Sequence, residues 1–175
     1  MANTTSSRVF TELVLEIFRL NGRLLSAGDA LARPADQTST RWQVLGALDQ
    51  GARTVAEVGR RMGLTRQSVQ RTADLLEHDG LIAFTDNPDH LRAKLAMLTP
   101  RGRKTLEVIT TSQIQWAHRI AGQLVEDDLR RALLTLQQLR DAVDRVGVTS
   151  TQTPRQARLE ARPRRSLRTT SGRRA

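Results

Sequence analysis

Apolar residues recur every three or four positions over a long N-terminal stretch, and this spacing predicts an amphipathic helix over residues 8–31. The apolar positions of that helix are Phe10, Leu13, Val14, Ile17, Leu20, Leu24 and Leu25. Pro34 and the polar residues after it indicate a linker. A second helix is expected to start between Thr38 and Thr40, since Thr40 and Gln43 have the spacing of a capping box.

The central stretch TVAEVGRRMGLTRQSVQRTADLLEHDGLI predicts two short helices joined by a tight corner. Thr54 and Glu57 have capping-box spacing, so a helix over 55–62 is expected, and Gly63 can end it in the left-handed conformation. Thr65 then provides the N-cap of the second helix. The apolar positions that should turn that helix towards a core are Val69, Ala73 and Leu76.

The opposite flank of this second helix is polar. Arg and Gln pair with guanine and adenine edges, Ser holds phosphate, and a recognition helix presents its N-terminal residues to the major groove. The sequence therefore predicts DNA contacts from Thr65, Arg66, Gln67, Ser68, Gln70 and Arg71. The alternative is an ordinary solvated helix in a small bundle, because helix-turn-helix patterns alone are a weak signal.

Two short strand-like runs follow, over residues 81–84 and 93–98, with the turn formers DNPD between them. Such a hairpin would form a wing, and Arg92 near its tip is long enough to enter a minor groove. Lys94 on the same hairpin and Thr40 are further candidates for DNA contact. Arg53 is a candidate for backbone phosphate, although a solvated loop Arg is the simpler interpretation.

The segments GLTRQSVQRTADLLEHDGLI and DNPDHLRAKLAMLTPRG resemble the winged helix of the MarR family of bacterial transcription regulators, and the resemblance extends over residues 9–146. Its most specific part is the wing, where a polar turn, an Arg and an alternating strand lead into Leu98-Thr99-Pro100-x-Gly102. One departure is His90, which stands where many family members have an acid that would orient Arg92; the neighbouring Asp89 is a candidate replacement.

Two helices are expected after the wing, from Pro100 to about residue 123 and from about 126 to 145. With the N-terminal helix they have larger apolar faces than a lobe of about 60 residues can cover, so we expect a homodimer. The fold class is thus mainly α, with a winged helix-turn-helix lobe and a helical dimerisation domain. The expected segments are a flexible N-terminus (1–7), a dimerisation helix (8–37), the DNA-binding lobe (38–99), dimerisation helices (100–147) and a disordered Arg-rich tail (148–175).

Charge is concentrated at the C-terminal end of the chain. The net charge is +10, and residues 151–175 contribute +7 of it through eight Arg and one Glu. Three interpretations of this tail remain open: a polycationic arm that adds nonspecific DNA affinity, a solvated segment without a role, or an unselected extension past the end of the domain. It also supports the alternative function, a sequence-tolerant nucleoid-type or RNA-binding protein.

Several classes of chemistry have no support in the sequence. With no cysteine, disulfides and thiol redox sensing are excluded, and the three widely spaced histidines do not favour a metal site. No catalytic or cofactor-binding motif is present, so we expect neither an enzyme nor a cofactor. No run of about 18 apolar residues and no signal-peptide layout occurs, so we expect a cytoplasmic protein without a membrane span.

The function that these observations favour is a sequence-specific regulator of transcription that binds double-stranded DNA at a palindromic operator. We expect a repressor that a small molecule releases, and the family resemblance implies aromatic or phenolic acids as effectors. The candidate pocket residues are Trp42, Trp116, His118 and Arg23. The alternative for both tryptophans is a place in the core.

Overall fold

The computed structural model describes residues 5–90 and 92–147, and this part of the chain is mostly helical with one small sheet. The helices are α1 (Thr5–Ala32), α2 (Ser39–Ala47), α3 (Val55–Met62), α4 (Arg66–His78), α5 (Pro100–Ala121) and α6 (Glu126–Val146), with a 3₁₀ turn at Arg33–Ala35. The strands are β1 (Arg53–Thr54), β2 (Ile82–Thr85) and β3 (Leu95–Leu98). The predictions for residues 1–4 and for the 148–175 tail fall outside the described residues.

Local capping residues fix the helix-turn-helix as the sequence predicts. The Glu57 amide donates to Thr54 Oγ1 (3.2 Å), and the Thr54 amide donates to Glu57 Oε2 (2.7 Å). The bonds that the Thr54 amide and hydroxyl donate to this carboxylate hold the pKa of Glu57 below its ordinary value. Gly63 ends α3 with φ +65°, and Thr65 caps α4 by accepting from the Ser68 amide at 3.1 Å.

A single core lies under α2, α3, α4 and the sheet, and the first turns of α5 close it. The predicted inward positions of α4 are confirmed, since Val69, Ala73 and Leu76 are almost fully buried. The cluster consists of Val44, Leu45, Ala47, Leu48, Val55, Val58, Val69, Ala73, Leu76, Leu81, Ile82, Ala96, Leu98 and Leu106. The lobe is therefore built around the helix that carries the candidate DNA-contacting residues.

The sheet is antiparallel in the order β1-β3-β2. The wing strands pair with Ile82 opposite Leu98, and Arg53 of β1 pairs with Ala96 on the other side of β3. β1 was expected to be part of a loop. Its pairing depends on a strand some forty residues later in the chain, so no local pattern indicates it.

The start of one helix and the cap of another differ from those expected, although α2 itself begins at Ser39, within the predicted range of 38–40. α1 begins at Thr5 rather than near residue 8, so residues 5–7 are helical. α2 is capped by Thr38, which accepts from the Arg41 amide, and not by Thr40. The cause is tertiary, because Asp29 of α1 accepts from the Ser39 amide (2.7 Å) and thereby fixes the first turn of α2.

The junction of wing and α5 explains the Leu98-Thr99-Pro100-x-Gly102 motif. Thr99 caps α5 by accepting from the Gly102 amide (3.0 Å), and its amide and hydroxyl both donate to the Leu81 carbonyl (3.0 and 3.1 Å). A Cβ on Gly102 would overlap that carbonyl. Only glycine lets α5 start this close to the strand that begins the wing.

The chain divides into two compact units after Gln123, so α6 belongs to the second unit. In the first unit, α1 leaves a series of large apolar side chains exposed: Val9, Phe10, Leu13, Leu15, Phe18, Leu20 and Leu24. In the second unit, the exposed apolar side chains of α6 are Leu129, Leu133, Leu134, Leu136, Val143 and Val146.

Candidate nucleic-acid interface

The two flanks of α4 differ sharply in exposure. One flank packs into the core through Val69, Ala73 and Leu76, while Thr72 is buried and donates its hydroxyl to the Ser68 carbonyl (3.1 Å). The residues predicted to contact DNA from this helix are all exposed on the other flank: Thr65, Arg66, Gln67, Ser68, Gln70 and Arg71. The burial of one flank thus fixes the direction in which the other projects.

Most side chains on this exposed flank are free to bind a partner. Within the described part of the chain, the guanidinium groups of Arg66 and Arg71 form no ion pair or hydrogen bond. Gln70 donates its amide nitrogen to Asp74 Oδ1 at 2.7 Å, one turn further along α4. This bond turns the amide oxygen of Gln70 away from Asp74 and leaves it available as an acceptor.

A concave surface lies between α3, one face of α4 and the wing. It brings together four of the predicted residues, namely Arg66, Gln70, Arg92 and Lys94, and adds Arg60 from α3. The same surface contains the acids Glu57, Asp74, Glu77 and Asp89. Thr54 and Gln70 already bind the first two of these acids, which reduces their repulsion towards an approaching polyanion.

The wing tip is folded by local hydrogen bonds. Asn87 Oδ1 accepts from the Asp89 amide at 3.0 Å, and the His90 amide donates to the Asn87 carbonyl (3.2 Å). Arg92 is exposed, and among the described residues Asp89 forms no ion pair with it. The guanidinium of Arg92 is therefore not oriented by a neighbouring acid here.

Six candidates for DNA contact do not line this concave surface: Thr65, Gln67, Ser68 and Arg71 are exposed elsewhere at the start of α4, and Arg53 and Thr40 lie outside that helix. Arg53 is half-buried in β1, where its Nε donates to the Ala47 carbonyl (3.0 Å) and holds the end of α2. Thr40 is half-buried in the first turn of α2. Neither residue lines the concave surface described above.

A separate cavity of about 430 Å³ lies between α1, α2 and α5. Two of the predicted pocket residues line it, Trp42 from α2 and Trp116 from α5, and Trp42 also packs against the core cluster. The other lining residues are Asn21, Leu24, Leu25, Gly28, Leu31, Ser39, Gln43, Gly46, Met62 and Gln113. The amides among them come from three separate helices, so no sequence spacing indicated that they would meet.

The other two predicted pocket residues, Arg23 and His118, do not line this cavity. Arg23 projects from a different face of α1, where it lies with Glu16 and Arg19. His118 is exposed near the end of α5. A helix presents residues one or two positions apart to different faces, which separates Arg23 from Leu24 and Leu25, and His118 from Trp116.

An ion pair joins α2 to the end of α4. Arg41 donates to the carboxylate of Asp79, the C-cap of α4, and Arg101 donates to the Asp79 carbonyl (3.0 Å). The hydrogen bond from Arg41 holds the pKa of Asp79 below its ordinary value. Since Trp42 follows Arg41 in the chain, one turn of α2 contacts both the cavity and the terminus of α4.

No described helix combines the length and the apolar character needed to cross a membrane. Nor do the described residues bring three or more His, Asp or Glu side chains together in a group that could hold a metal ion.

Sequence comparisons identify relatives of the chain. The profile of the MarR family matches residues 36–93. The uncharacterized protein Rv2011c of Mycobacterium tuberculosis is 38% identical over 131 residues, which make up 71% of this chain and 92% of that protein.

Solved structures share the architecture. Sco5413, a MarR family transcriptional regulator from Streptomyces coelicolor, superimposes with a TM-score of 0.65 at 26% identity, covering 77% of this chain and 94% of that one. The M. tuberculosis transcriptional regulator MOSR, solved in complex with DNA, gives a TM-score of 0.63 at 22% identity over 74% and 96% of the two chains. CouR from Rhodococcus jostii RHA1, solved with p-coumaroyl-CoA, gives a TM-score of 0.66 at 22% identity, covering 73% of this chain and 90% of that one.

These similarities confirm the winged helix-turn-helix fold class predicted from the sequence. They also agree with the geometry of the molecule, in which a capped helix-turn-helix leads into a two-stranded wing and a long helix. We conclude that the chain belongs to the MarR family of winged-helix transcriptional regulators.

Proposed function

We propose that this protein is a sequence-specific regulator that binds a palindromic operator in double-stranded DNA as a homodimer, represses transcription there, and is released by a small molecule. The observation that carries the proposal is the exposed polar flank of α4, whose Arg66 and Arg71 have no intramolecular partner among the described residues. Free guanidinium and amide groups on the first turns of such a helix suit base edges and phosphates. The DNA complex of MOSR, which has the same fold, supports this role.

The exposed apolar side chains of α1 and α6 support the homodimer. Phe18 and Leu133 are 67% and 58% exposed, and each belongs to a long series of exposed apolar side chains on its own helix. Apolar patches of this extent on a monomer usually mark an interface. A twofold dimer would place two α4 helices about 34 Å apart, the repeat of B-DNA, and the operator would share its symmetry.

Ligand release would act through α2. A molecule in the cavity contacts Trp42, and the preceding Arg41 holds the end of α4 through Asp79. If occupancy favours a different position of α2 relative to α1 and α5, α4 moves with it, and the ligand weakens DNA binding by its differential affinity for the two arrangements. The complex of CouR with p-coumaroyl-CoA supports a small-molecule effector in a protein of this fold.

The test is operator binding with a variant matched for charge. Arg71→Ala should weaken binding to the selected operator by about 1–3 kcal/mol if its side chain pairs with a base. Arg103→Ala removes the same charge from α5, where Arg103 lies near Asp49 and Glu107 and not on the exposed flank of α4. Fluorescence anisotropy with labelled operator measures the DNA affinity of both variants. Equal losses of affinity would mean that Arg71 contributes only nonspecific electrostatic attraction, which contradicts base recognition by this residue.

Repression, and the alternative function driven by the tail, need measurements of their own. A promoter reporter in cells should give higher expression when the protein is deleted, and lower expression would show an activator instead. Removal of residues 151–175 tests the alternative, a sequence-tolerant protein driven by its tail. Our proposal expects that truncation to preserve the ratio of operator to random-DNA affinity, because α4 supplies the discrimination.

A further inference from the structure

We infer that the cavity between α1, α2 and α5 takes an uncharged aromatic ligand and discriminates against aromatic carboxylates. The inference rests on the proposed ligand-responsive function, since it specifies the chemical class that would occupy the cavity. It differs from the aromatic acids that the family resemblance implies. Three features of the cavity carry it: its lining, the state of the helix terminus that borders it, and the position of the nearest charged groups.

The lining is apolar and aromatic, with neutral polar groups. The two indole rings of Trp42 and Trp116 provide flat surfaces, and Leu24, Leu31 and Met62 are aliphatic neighbours. Its volume of about 430 Å³ suits a molecule of two or three rings. Among the described residues no Lys, Arg or His lines the cavity, so an anion would lose its hydration without gaining a cationic partner.

Hydrogen-bonding capacity is nevertheless present. The lining includes three primary amides, on Asn21, Gln43 and Gln113, and each can both donate and accept. Groups of this kind match neutral hydroxyl, carbonyl or amide substituents of a ligand. These amides can orient a bound ligand through hydrogen bonds, and they do not favour a charged ligand over a neutral one.

The helix terminus that borders the cavity is already occupied. Ser39 lines the cavity at the first turn of α2, where free amides would otherwise attract an anion. Its amide donates instead to Asp29 Oδ1 (2.7 Å), and the Arg41 amide donates to Thr38 Oγ1 (3.3 Å). The carboxylate of Asp29 therefore takes the place that a ligand carboxylate would need.

The charge next to the cavity is negative. Hydrogen bonds from Ser39, with a smaller contribution from Arg33, hold the pKa of Asp29 below its ordinary value, so this group is ionised at neutral pH. Three arginines are near the lining residues in sequence: Arg23 projects from another face of α1, Arg33 contributes to the lowered pKa of Asp29, and Arg41 pairs with Asp79. A ligand carboxylate at Ser39 would meet a like charge.

The experiment compares two fluorescent probes that differ only by a charge, in the absence of DNA. N-phenyl-1-naphthylamine is uncharged, and 8-anilinonaphthalene-1-sulfonate carries a sulfonate on the same skeleton. We expect the uncharged probe to bind the full chain at least tenfold more tightly. Equal affinities, or tighter binding of the sulfonate, would overturn the inference.

Two variants assign the signal to the cavity and to the acid. A Cβ on Gly46, which lines the cavity, would have no atom within 4 Å, so Gly46→Leu should fill the space and abolish probe binding while Gly46→Ala retains it. Asp29→Asn keeps an acceptor for Ser39 and should improve sulfonate binding at least threefold with little change for the uncharged probe. Binding unaffected by Gly46→Leu, or a probe ratio unchanged by Asp29→Asn, contradicts the inference.

Circular dichroism and urea unfolding of each variant establish that it is folded. The effect of the uncharged probe on operator affinity is measured separately. If the probe binds in the cavity but leaves DNA binding unchanged, the release mechanism of the proposed function fails while the charge preference stands. If DNA release occurs only with the sulfonate, the charge preference fails and the release mechanism stands.

Discussion

The corner between α3 and α4 depends on one close approach, and replacing Gly59 with Ala tests it. Gly59 is buried in α3, and the Leu64 amide donates to its carbonyl at 2.9 Å. A Cβ added at Gly59 would lie 2.8 Å from the Leu64 carbonyl oxygen and 3.7 Å from the Arg66 amide nitrogen. The first atom belongs to backbone, so the turn itself must move, and α4 begins two residues later.

The expected magnitude follows from two opposed effects. Ala in place of a helical Gly stabilises by about 0.5–1 kcal/mol through backbone entropy. Forcing the turn open by roughly 0.5 Å is an overpacking change that costs about 1–3 kcal/mol. Gly46→Ala in α2 provides the matched control, because its Cβ would meet no atom within 4 Å and only the favourable effect remains. The two variants should therefore differ in free energy of unfolding by about 1–3 kcal/mol.

Urea unfolding followed by tryptophan fluorescence measures the difference directly. In a thermal melt it corresponds to a midpoint roughly 2–12 °C lower for Gly59→Ala than for Gly46→Ala. Operator affinity should also fall in Gly59→Ala and not in Gly46→Ala, because the displaced turn carries the N-terminus of α4. If Gly59→Ala is as stable as Gly46→Ala and binds DNA normally, the corner is not as tight as described and the reasoning is refuted.

Further predictions concern the ion pair, the cap and the wing. Arg41 lowers the pKa of Asp79 from 3.8 in the folded protein, so the ionised carboxylate stabilises the fold above that pH, and this stabilisation is lost as the pH falls through the folded-state pKa. In urea unfolding, the difference in free energy of unfolding between wild type and Asp79→Asn should therefore narrow below about pH 4. A difference that stays constant with pH would contradict the ion pair. Thr54→Ala removes the N-cap of α3 and should lower the free energy of unfolding by about 1 kcal/mol in the same assay. An unchanged free energy of unfolding would contradict a stabilising role of the capping box. Lys94→Ala should weaken binding to all DNA sequences alike and reduce the slope of log affinity against log salt by about one, and an effect confined to one base position would refute a phosphate contact.

Features set by neighbours in sequence were predictable. The Thr54–Glu57 capping box, the left-handed Gly63 and the Thr65 cap each depend on atoms within a few residues of one another, and the structure has all three. The inward flank of α4 followed from helical periodicity for the same reason. The wing followed from two strand-like runs around a polar turn, and the expectation of a dimer from apolar faces too large for the lobe to cover.

Features set by distant parts of the chain were not predictable. β1 exists because Arg53 pairs with Ala96, and α2 is capped by Thr38 rather than Thr40 at a turn where Asp29 of another helix binds the Ser39 amide. The cavity combines side chains from α1, α2, α3 and α5, and periodicity alone did not show that Arg23 and His118 point elsewhere. The exposed flank of α4 could be predicted because it depends on the periodicity of one helix. The strand pairing, the cap of α2 and the cavity depend on how several elements pack together.

The central claim is that the exposed flank of α4 reads base sequence, and selection of bound DNA from a random library tests it most directly. Wild type should enrich a palindrome with half-sites about one helical turn apart. The Gln70→Ala variant should lose preference at one symmetric pair of positions, by about 1–3 kcal/mol, while keeping the rest of the pattern. Enrichment of the same pattern by both proteins, or of no pattern by wild type, would contradict the account.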